Sequence, residues 1–417
     1  MTQTNKGEAT GFVAALRHRS FAYFQLAKFL SSLATQIQTV AVGAQIYELT
    51  HRPLDLGLIG LSQFLPVLVL ALPAGQAADR FDRRAMLVLC YALEFVCGLA
   101  LLWFTLSGIR SPLPVFAVMV AFGIARAFSS PSASALLPNL VPVELFGNAV
   151  GISSSSWQLS VVAGPAVGGV LYAVFGAACA YAVVAVLLLV SLLCLRVVKS
   201  PRQPTPEAAP TLHGLLEGLR FVRTRPVILG AISLDLFAVL FGGATALLPA
   251  YASDILHVGP AGLGWLRSSP GIGAALTALW LTMRPVGRQV GPLMFAGVFT
   301  FGIATICFSV ATNFWWALVL LAILGAADML SVFVRSMLVQ LETPDAMRGR
   351  VAAVNSIFVG ASNELGEFES GVAAAWLGLV PSVALGGVLT VAVVVGWMLL
   401  FPSLRRMDRF PKVATAS

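Results

Sequence analysis

The sequence predicts an all-α membrane protein of twelve transmembrane helices arranged as two six-helix bundles. Three observations predict it. Of the 417 residues, 58% are apolar and only 11% charged, whereas ordinary globular domains carry about 25% charged residues. Apolar runs such as Tyr181 to Leu195, Phe295 to Val310 and Ser382 to Phe401 recur from end to end, and each approaches the roughly 20 residues that a helix needs to cross the hydrocarbon core. The basic residues, which leave a net charge of +8, gather at alternate gaps between these runs.

The first span, 20–49, follows Lys6, Arg17, His18 and Arg19. This start lacks the short apolar core and small-residue cleavage site of a secretory signal, so the helix is expected to be retained. Its Ser32, Thr35, Gln36 and Thr39, continued by Gly43, recur at helical spacing and make a polar face that belongs against a cavity or another helix. The second span, 54–78, ends in the basic turn Gly75-Gln76-Ala77-Ala78-Asp79-Arg80-Phe81-Asp82-Arg83-Arg84; spans 85–108 and 112–138 follow. The fifth, 145–175, carries Gly151, Ser160, Gly164, Pro165, Gly168 and Gly169. Small residues let helices approach closely in lipid, and a Gly-Pro step bends a helix. The sixth span is 177–197.

The one long connection, 198–225, opens on Ser200-Pro201-Arg202-Gln203-Pro204-Thr205-Pro206-Glu207, a flexible linker by composition. It divides an N-terminal bundle, 1–197, from a C-terminal bundle, 226–417, with spans 226–252, 260–283, 290–310, 313–340, 350–375 and 382–402 cut at Gly, Pro and charge clusters. After its second helix the C-terminal half has Met283-Arg284-Pro285-Val286-Gly287-Arg288, a shortened counterpart of the basic turn. Such an echo is expected of a six-plus-six transporter with its substrate path between the halves.

Alternation also fixes orientation. One side collects Lys6, Arg17 and Arg19; Arg80, Arg83 and Arg84; the linker group from Arg196 to Arg225; Arg284 and Arg288; Arg348 and Arg350; and Arg405, Arg406, Arg409 and Lys412. The other side has Arg52 and Arg110 alone. Positive charge marks the cytoplasmic face, so both termini and the linker are expected in the cytoplasm and the basic charge speaks for topology, not nucleic acid. The five cysteines lie in apolar runs without a CxxC pair, so no metal site is expected. The four histidines sit in loops or at helix ends and form no nucleophile site with Ser or Cys, and no GxxxxGK[ST] phosphate loop occurs. No catalytic residue and no cofactor is therefore expected; a membrane enzyme is the alternative of another class.

The turn from Gly75 to Leu87 resembles the loop signature of the major facilitator superfamily, G-x-L-A-D-R-x-G-R-K-x-x-L. Gly75, Ala78, Asp79, Arg80, Arg83 and Leu87 match, Arg84 replaces Lys, and Ala77 and Asp82 depart. The resemblance implies a conformational latch at Gly75, Asp79, Arg80, Arg83 and Arg84, with Asp79 near the start of helix eleven, where a helix dipole favours a carboxylate. The helix-five residues resemble the superfamily's exporter motif, with Ser160 in place of one Gly, and imply a hinge or sliding contact at Gly151, Gly164, Pro165, Gly168 and Gly169. Two further segments, Leu215 to Val222 and Thr343 to Val351, look like the branch of siderophore and drug exporters.

Ionisable groups at membrane depth cost about 2.5–3.5 kcal/mol each even on the lenient insertion scale and so mark function. The candidates for proton coupling or cavity lining are Lys28, Arg126, Asp235, Asp328, Arg335, Glu364 and Glu367. Glu364 and Glu367 share a helix face and should not both ionise easily in a low dielectric, while Glu369 points away. Pairing with an Arg across the bundle, or exposure at the outer mouth, are alternatives for them. Asp328 and Arg335, seven residues apart, lie on one face about 10 Å apart. Arg126 falls where the resemblance places a functional Arg in some drug-proton antiporters, without the rest of that motif. Glu94 receives less weight, because the resemblance implies a peripheral third helix. The expectation is a monomeric transporter of the bacterial inner membrane that exports a siderophore or amphipathic drug-like compound by proton antiport. A proton-coupled importer or uniporter is the alternative, and the expected partners are a small-molecule substrate, protons and the lipid bilayer.

Overall fold

In a computed structural model, residues 14–199, 212–284 and 286–411 are described, with Asp79, Leu212, His213, Asp345 and Ala346 by their backbone alone. Every regular element among them is helical. The principal helices are α1 (Arg19–Thr50), α2 (Pro53–Arg80), α3 (Arg83–Leu106), α4 (Leu113–Leu136), α5 (Phe146–Val197), α6 (Leu212–Thr224), α7 (Pro226–Phe241), α8 (Gly259–Met283), α9 (Val290–Ser309), α10 (Phe314–Glu342), α11 (Asp345–Leu377) and α12 (Leu379–Leu400). Among the described residues, eight helical stretches are long and apolar enough to cross a membrane, by length and composition. One of the eight is the 55-residue stretch Val143–Val197.

Local chemistry explains where the helices begin and break. Asp82 caps α3, its Oδ1 accepting from the Ala85 N–H at 2.8 Å, and Asn313 caps α10 by accepting from Trp315 and Trp316. Proline opens α2 and α7 at the first helical position, where its missing N–H costs nothing. α5 is divided at Gly176, whose φ of 82° is non-helical, and Gly378 takes the same conformation, φ 88°, between α11 and α12. Such positive φ favours glycine. The expected break between 175 and 177 lies there. His51, just past α1, and His257, just past the stretch Pro226–Ile255, also share a left-handed backbone, with φ of 48° and 51°. Similar turns thus recur at corresponding places in the two halves of the sequence.

The connection expected over 198–225 contains a helix, α6, which lies on α11 through Val222, Met347, Val351 and Val354. Arg350 Nη1 meets Glu217 Oε2 at 2.7 Å, and a Cβ on Gly218 would stand 2.7 Å from the Arg350 carbonyl oxygen. The two segments that resemble the siderophore and drug exporters are therefore packed together. The linker residues Ser200 to Glu207, and Lys6, Arg202 and Lys412 of the basic side, lie outside the described residues.

Packing divides the chain into two compact units. One comprises Met1–Val42 and Leu65–Ala209, the other Gly43–Phe64 and Pro210–Ser417. The first has a core of Phe21, Phe24, Leu87, Tyr91, Leu136 and Leu195; the second centres on Leu234, Met294, Phe295, Val334, Leu338 and Val394.

Candidate functional site

Within the second unit, α7 and α10 bring together charges that are a hundred residues apart in sequence. Asp235, 4% exposed, accepts an ion pair from Arg335, also 4% exposed, with Arg335 Nη2 at 3.2 Å from Asp235 Oδ2. Arg335 Nη1 donates to Asn355 Oδ1 of α11 at 2.8 Å. Asp328 stands two turns before Arg335 and lines a small cavity with Asp235, Ala238, Val298, Phe301 and Ser331. Arg335 and Asp328 share a face of α10 as the heptad spacing requires, yet the guanidinium bonds Asp235 and Asn355 and not Asp328. Removing charges from water is costly, and a buried guanidinium is retained only where carboxylate and amide partners replace its hydration.

Glu364 and Glu367 of α11 converge on Gly60 of α2. A Cβ on Gly60 would stand 2.7 Å from Glu367 Oε2 and 3.7 Å from Glu364 Oε2, so glycine there leaves room for both carboxylates. Two neighbouring glycine contacts, Gly57 against the Phe368 carbonyl and Gly371 against Gly57, hold the same two helices at close range. The charge of Glu367 acts on Arg267 of α8. Nearby, the Tyr47 hydroxyl donates to Asp254 Oδ2.

The first unit holds its own polar interior. Glu94, 2% exposed, accepts a hydrogen bond from Ser31 Oγ of α1 at 3.1 Å, and the charge of Arg126 from α4 acts on it. Ser153 of α5 donates to Gln25 at 2.8 Å, and Ser191 donates to the Ala27 carbonyl at 2.7 Å. Lys28, half-buried, lies one turn before Ser31 on α1. Of the polar face of α1, Thr35 and Thr39 bond back to carbonyls four residues earlier, and Ser32, Thr35, Gln36 and Thr39 are all half-buried. Gln36 faces the α5 motif. A Cβ at Gly164 would meet Gln36 Cβ at 2.4 Å, and one at Gly168 would meet Ile37 Cα at 3.0 Å. Pro165 and Gly169 are buried in the same stretch, and Gly151 is half-buried.

At the basic turn, Gly75 is half-buried and Arg80 exposed at the end of α2. Arg83 ties the turn to α4, donating from Nε to the Ala78 carbonyl at 3.1 Å and from Nη1 to the Ala135 carbonyl at 3.0 Å. Arg84 donates to the carbonyls of Leu195 and Arg196 at the end of α5. The side chain of Asp79 lies outside the described residues. Asp82, where the superfamily signature has glycine, has φ −61° and caps α3, so the position needs no glycine.

Two ionisable groups of the site, half-buried Arg267 and buried Glu94, are not evident from the sequence alone. Arg267 lies inside α8 among its glycines and Pro270, and its charge at membrane depth is the signal the sequence carries for it. Glu94 was set aside as peripheral, and its partners on α1 and α4 become visible only in three dimensions.

Residues 10–416 match the family described as transmembrane secretion effectors. The enterobactin exporter EntS of Citrobacter koseri is 29% identical over 407 residues, covering 95% of each chain, and that of Escherichia coli O1:K1 is 28% identical over 411 residues, covering 96% of each. In fold, the chain is similar to a bacterial homologue of the human lysosomal transporter Spinster in an inward-facing, occupied conformation. That likeness has a TM-score of 0.74 at 16% identity and covers 95% of this chain and 98% of the other. It is also similar to the nucleoside transporter NupG, with a TM-score of 0.69 at 14% identity over 92% and 99% of the two chains.

Proposed function

Since the chain belongs to the major facilitator superfamily, among its transmembrane secretion effectors, we propose that it exports a small organic molecule by proton antiport through alternating access. It is a multi-pass membrane transporter related to siderophore exporters. The observation that carries export is the likeness to enterobactin exporters along 95% of both chains; the small-residue face of α5 against α1 supports it. The substrate class is a siderophore or an amphipathic drug-like compound.

Dividing Val143–Val197 at Gly176 and adding the more polar α1, α8 and α11 to the eight apolar spans brings the crossings to twelve. These form two six-helix bundles, residues 1–197 and 226–417, joined through 198–225, in the inner membrane of a bacterium with both termini cytoplasmic. The bundles rock about a midplane substrate site. The Gly75–Arg84 turn latches the cytoplasmic side and the α5 glycines form the sliding contact. A proton entering from outside neutralises a carboxylate and favours outward release of substrate, so that each state differs in charge and the gradient biases the cycle.

The test is substrate uptake into inside-out vesicles, with counterflow as the control. An imposed pH gradient, acid inside, accelerates accumulation if the reading is right. Accumulation that ignores the gradient while counterflow proceeds removes proton antiport.

A further inference from the structure

We propose that the cavity between Asp235, Asp328 and Ser331 is a proton-exchange site that holds one water molecule, with Asp328 as the carboxylate that takes up and releases the proton. The inference deepens the proton-antiport reading and rests on it for its role in transport.

Four observations carry it. The cavity measures about 10 Å³, the room of a single water. Its polar lining comes from three side chains, Asp235 on α7 and Asp328 and Ser331 on α10, and is otherwise apolar: Ala238, Val239, Val298 and Phe301. Ser331 is 2% exposed and its Oγ has no hydrogen-bond partner. A buried hydroxyl without a partner forfeits its hydration with nothing in return, and a water in this cavity is the partner within reach. Third, the sides of the site are fixed by helical spacing: Asp328, Ser331 and Arg335 follow at three and seven residues on α10, and Asp235, Ala238 and Val239 at three and four on α7.

The fourth observation is charge. Two carboxylates share one guanidinium, and Arg335 is committed to Asp235 and Asn355. The groups facing Asp328 from each packed helix supply no second cation at contact. α7 offers Asp235; α9, from Val290 to Ser309, carries no acidic or basic residue; and α11 offers Asn355, with Glu364 and Glu367 about two and a half turns or more beyond it. On α8, Arg267 lies at the level of Asp328, because Pro270 meets Gly325 and Gly273 meets Ala322 in antiparallel register, but Glu367 is the carboxylate whose charge acts on it. Asp235, Asp328 and Arg335 together carry a net negative charge when both carboxylates are ionised. On uptake, a hydronium in the cavity gives a proton to Asp328, forming its O–H bond, leaves the neutral bound water behind and brings the trio to neutrality. On release, that O–H bond breaks, the bound water accepts the proton, and the water passes one of its own protons on to solvent.

Infrared difference spectroscopy on the whole protein in lipid nanodiscs tests this directly. The carboxylic-acid carbonyl band that appears on acidification should be lost in Asp328→Asn, and should shift in frequency without losing amplitude in Ser331→Ala, which removes the hydroxyl and leaves the fold. A band unchanged in Asp328→Asn, or unshifted in Ser331→Ala, overturns the proposal. So does a band that sodium chloride abolishes and choline chloride does not, since a metal cation would then hold the site. Vesicle transport that ignores a pH gradient while the band behaves as expected sinks antiport alone, and the titrating band still supports the proton site.

Discussion

Arg335 is the residue on which most of the buried charge in the second unit depends. Its guanidinium reaches Asp235 and Asn355, and neither aspartate of the trio has another basic residue in bonding distance among the described residues. Breaking a buried pair by removing one partner costs about 3–5 kcal/mol, because an uncompensated charge is left behind, whereas replacing both partners with apolar groups is often neutral. Arg335→Leu should therefore lower the thermal midpoint strongly, and Asp235→Leu combined with Arg335→Leu should recover much of the loss, as measured by thermal unfolding in detergent. A double variant no more stable than Arg335→Leu would show that the ion pair is not the origin of the effect. Glu94 obeys the same logic in the first unit, where a serine hydroxyl from α1 donates to it and the charge of Arg126 from α4 acts on it.

Between helices, close tolerances lie where α5 crosses α1, and the two glycines there fail for different reasons. The added Cβ at Gly164 meets the Cβ of Gln36, a side-chain atom, whereas at Gly168 it meets the Cα, carbonyl carbon and oxygen of Ile37. Gly164→Ala should lower stability and transport, and Gln36→Gly should restore both, since Gln36→Ala would keep the offending atom. Gly168→Ala should not be rescued by Ile37→Ala, because the obstacle is backbone. Transport rates and thermal midpoints of the four variants check this, and rescue of Gly168→Ala by Ile37→Ala would refute the assignment. At this scale much was legible in the sequence. Composition and apolar runs gave the helical class, and the helix starts at Pro53, Asp82, Asn313 and Pro226 follow from capping chemistry that is local. What the sequence hid is what depends on distant partners. Periodicity puts Asp328 and Arg335 on one face, but only packing reveals that Arg335 chooses Asp235 from α7; α6 was hidden inside a connection whose proline-rich opening reads as linker throughout. The twin positive-φ turns at Gly176 and Gly378 could not be read either, since glycines at helix ends are common and only backbone geometry tells which of them are left-handed.

For the molecule as a whole, orientation and coupling are the properties from which directional transport must come. Arg409 and Arg110 belong to the two opposite basic sides of the chain, and lipid separates those sides if the charge bias sets topology. In right-side-out vesicles of a cysteine-free background, Arg110→Cys should react with a membrane-impermeant maleimide and Arg409→Cys only after permeabilisation; labelling of both from one side would remove the twelve-crossing arrangement.

Coupling asks more, because a carrier can exchange substrate across the membrane without moving protons. Glu364 and Glu367 converge on Gly60, and Arg267 answers the charge of Glu367, so this cluster and the Asp235–Arg335–Asp328 trio are two groups of carboxylates in one unit, each with its own arginine. If the α11 pair participates in the proton-dependent step, Glu367→Gln or Glu364→Gln should abolish accumulation driven by a pH gradient while substrate counterflow, which needs no net proton movement, continues at near the wild-type rate. Loss of both activities would instead mark the glutamates as substrate contacts or supports of the fold, which thermal midpoints separate. Gradient-driven accumulation unchanged in both variants would take α11 out of the coupling mechanism and leave the task to the Asp235–Arg335–Asp328 trio, where one carboxylate more than the guanidinium can neutralise already provides the charge that a proton would cancel.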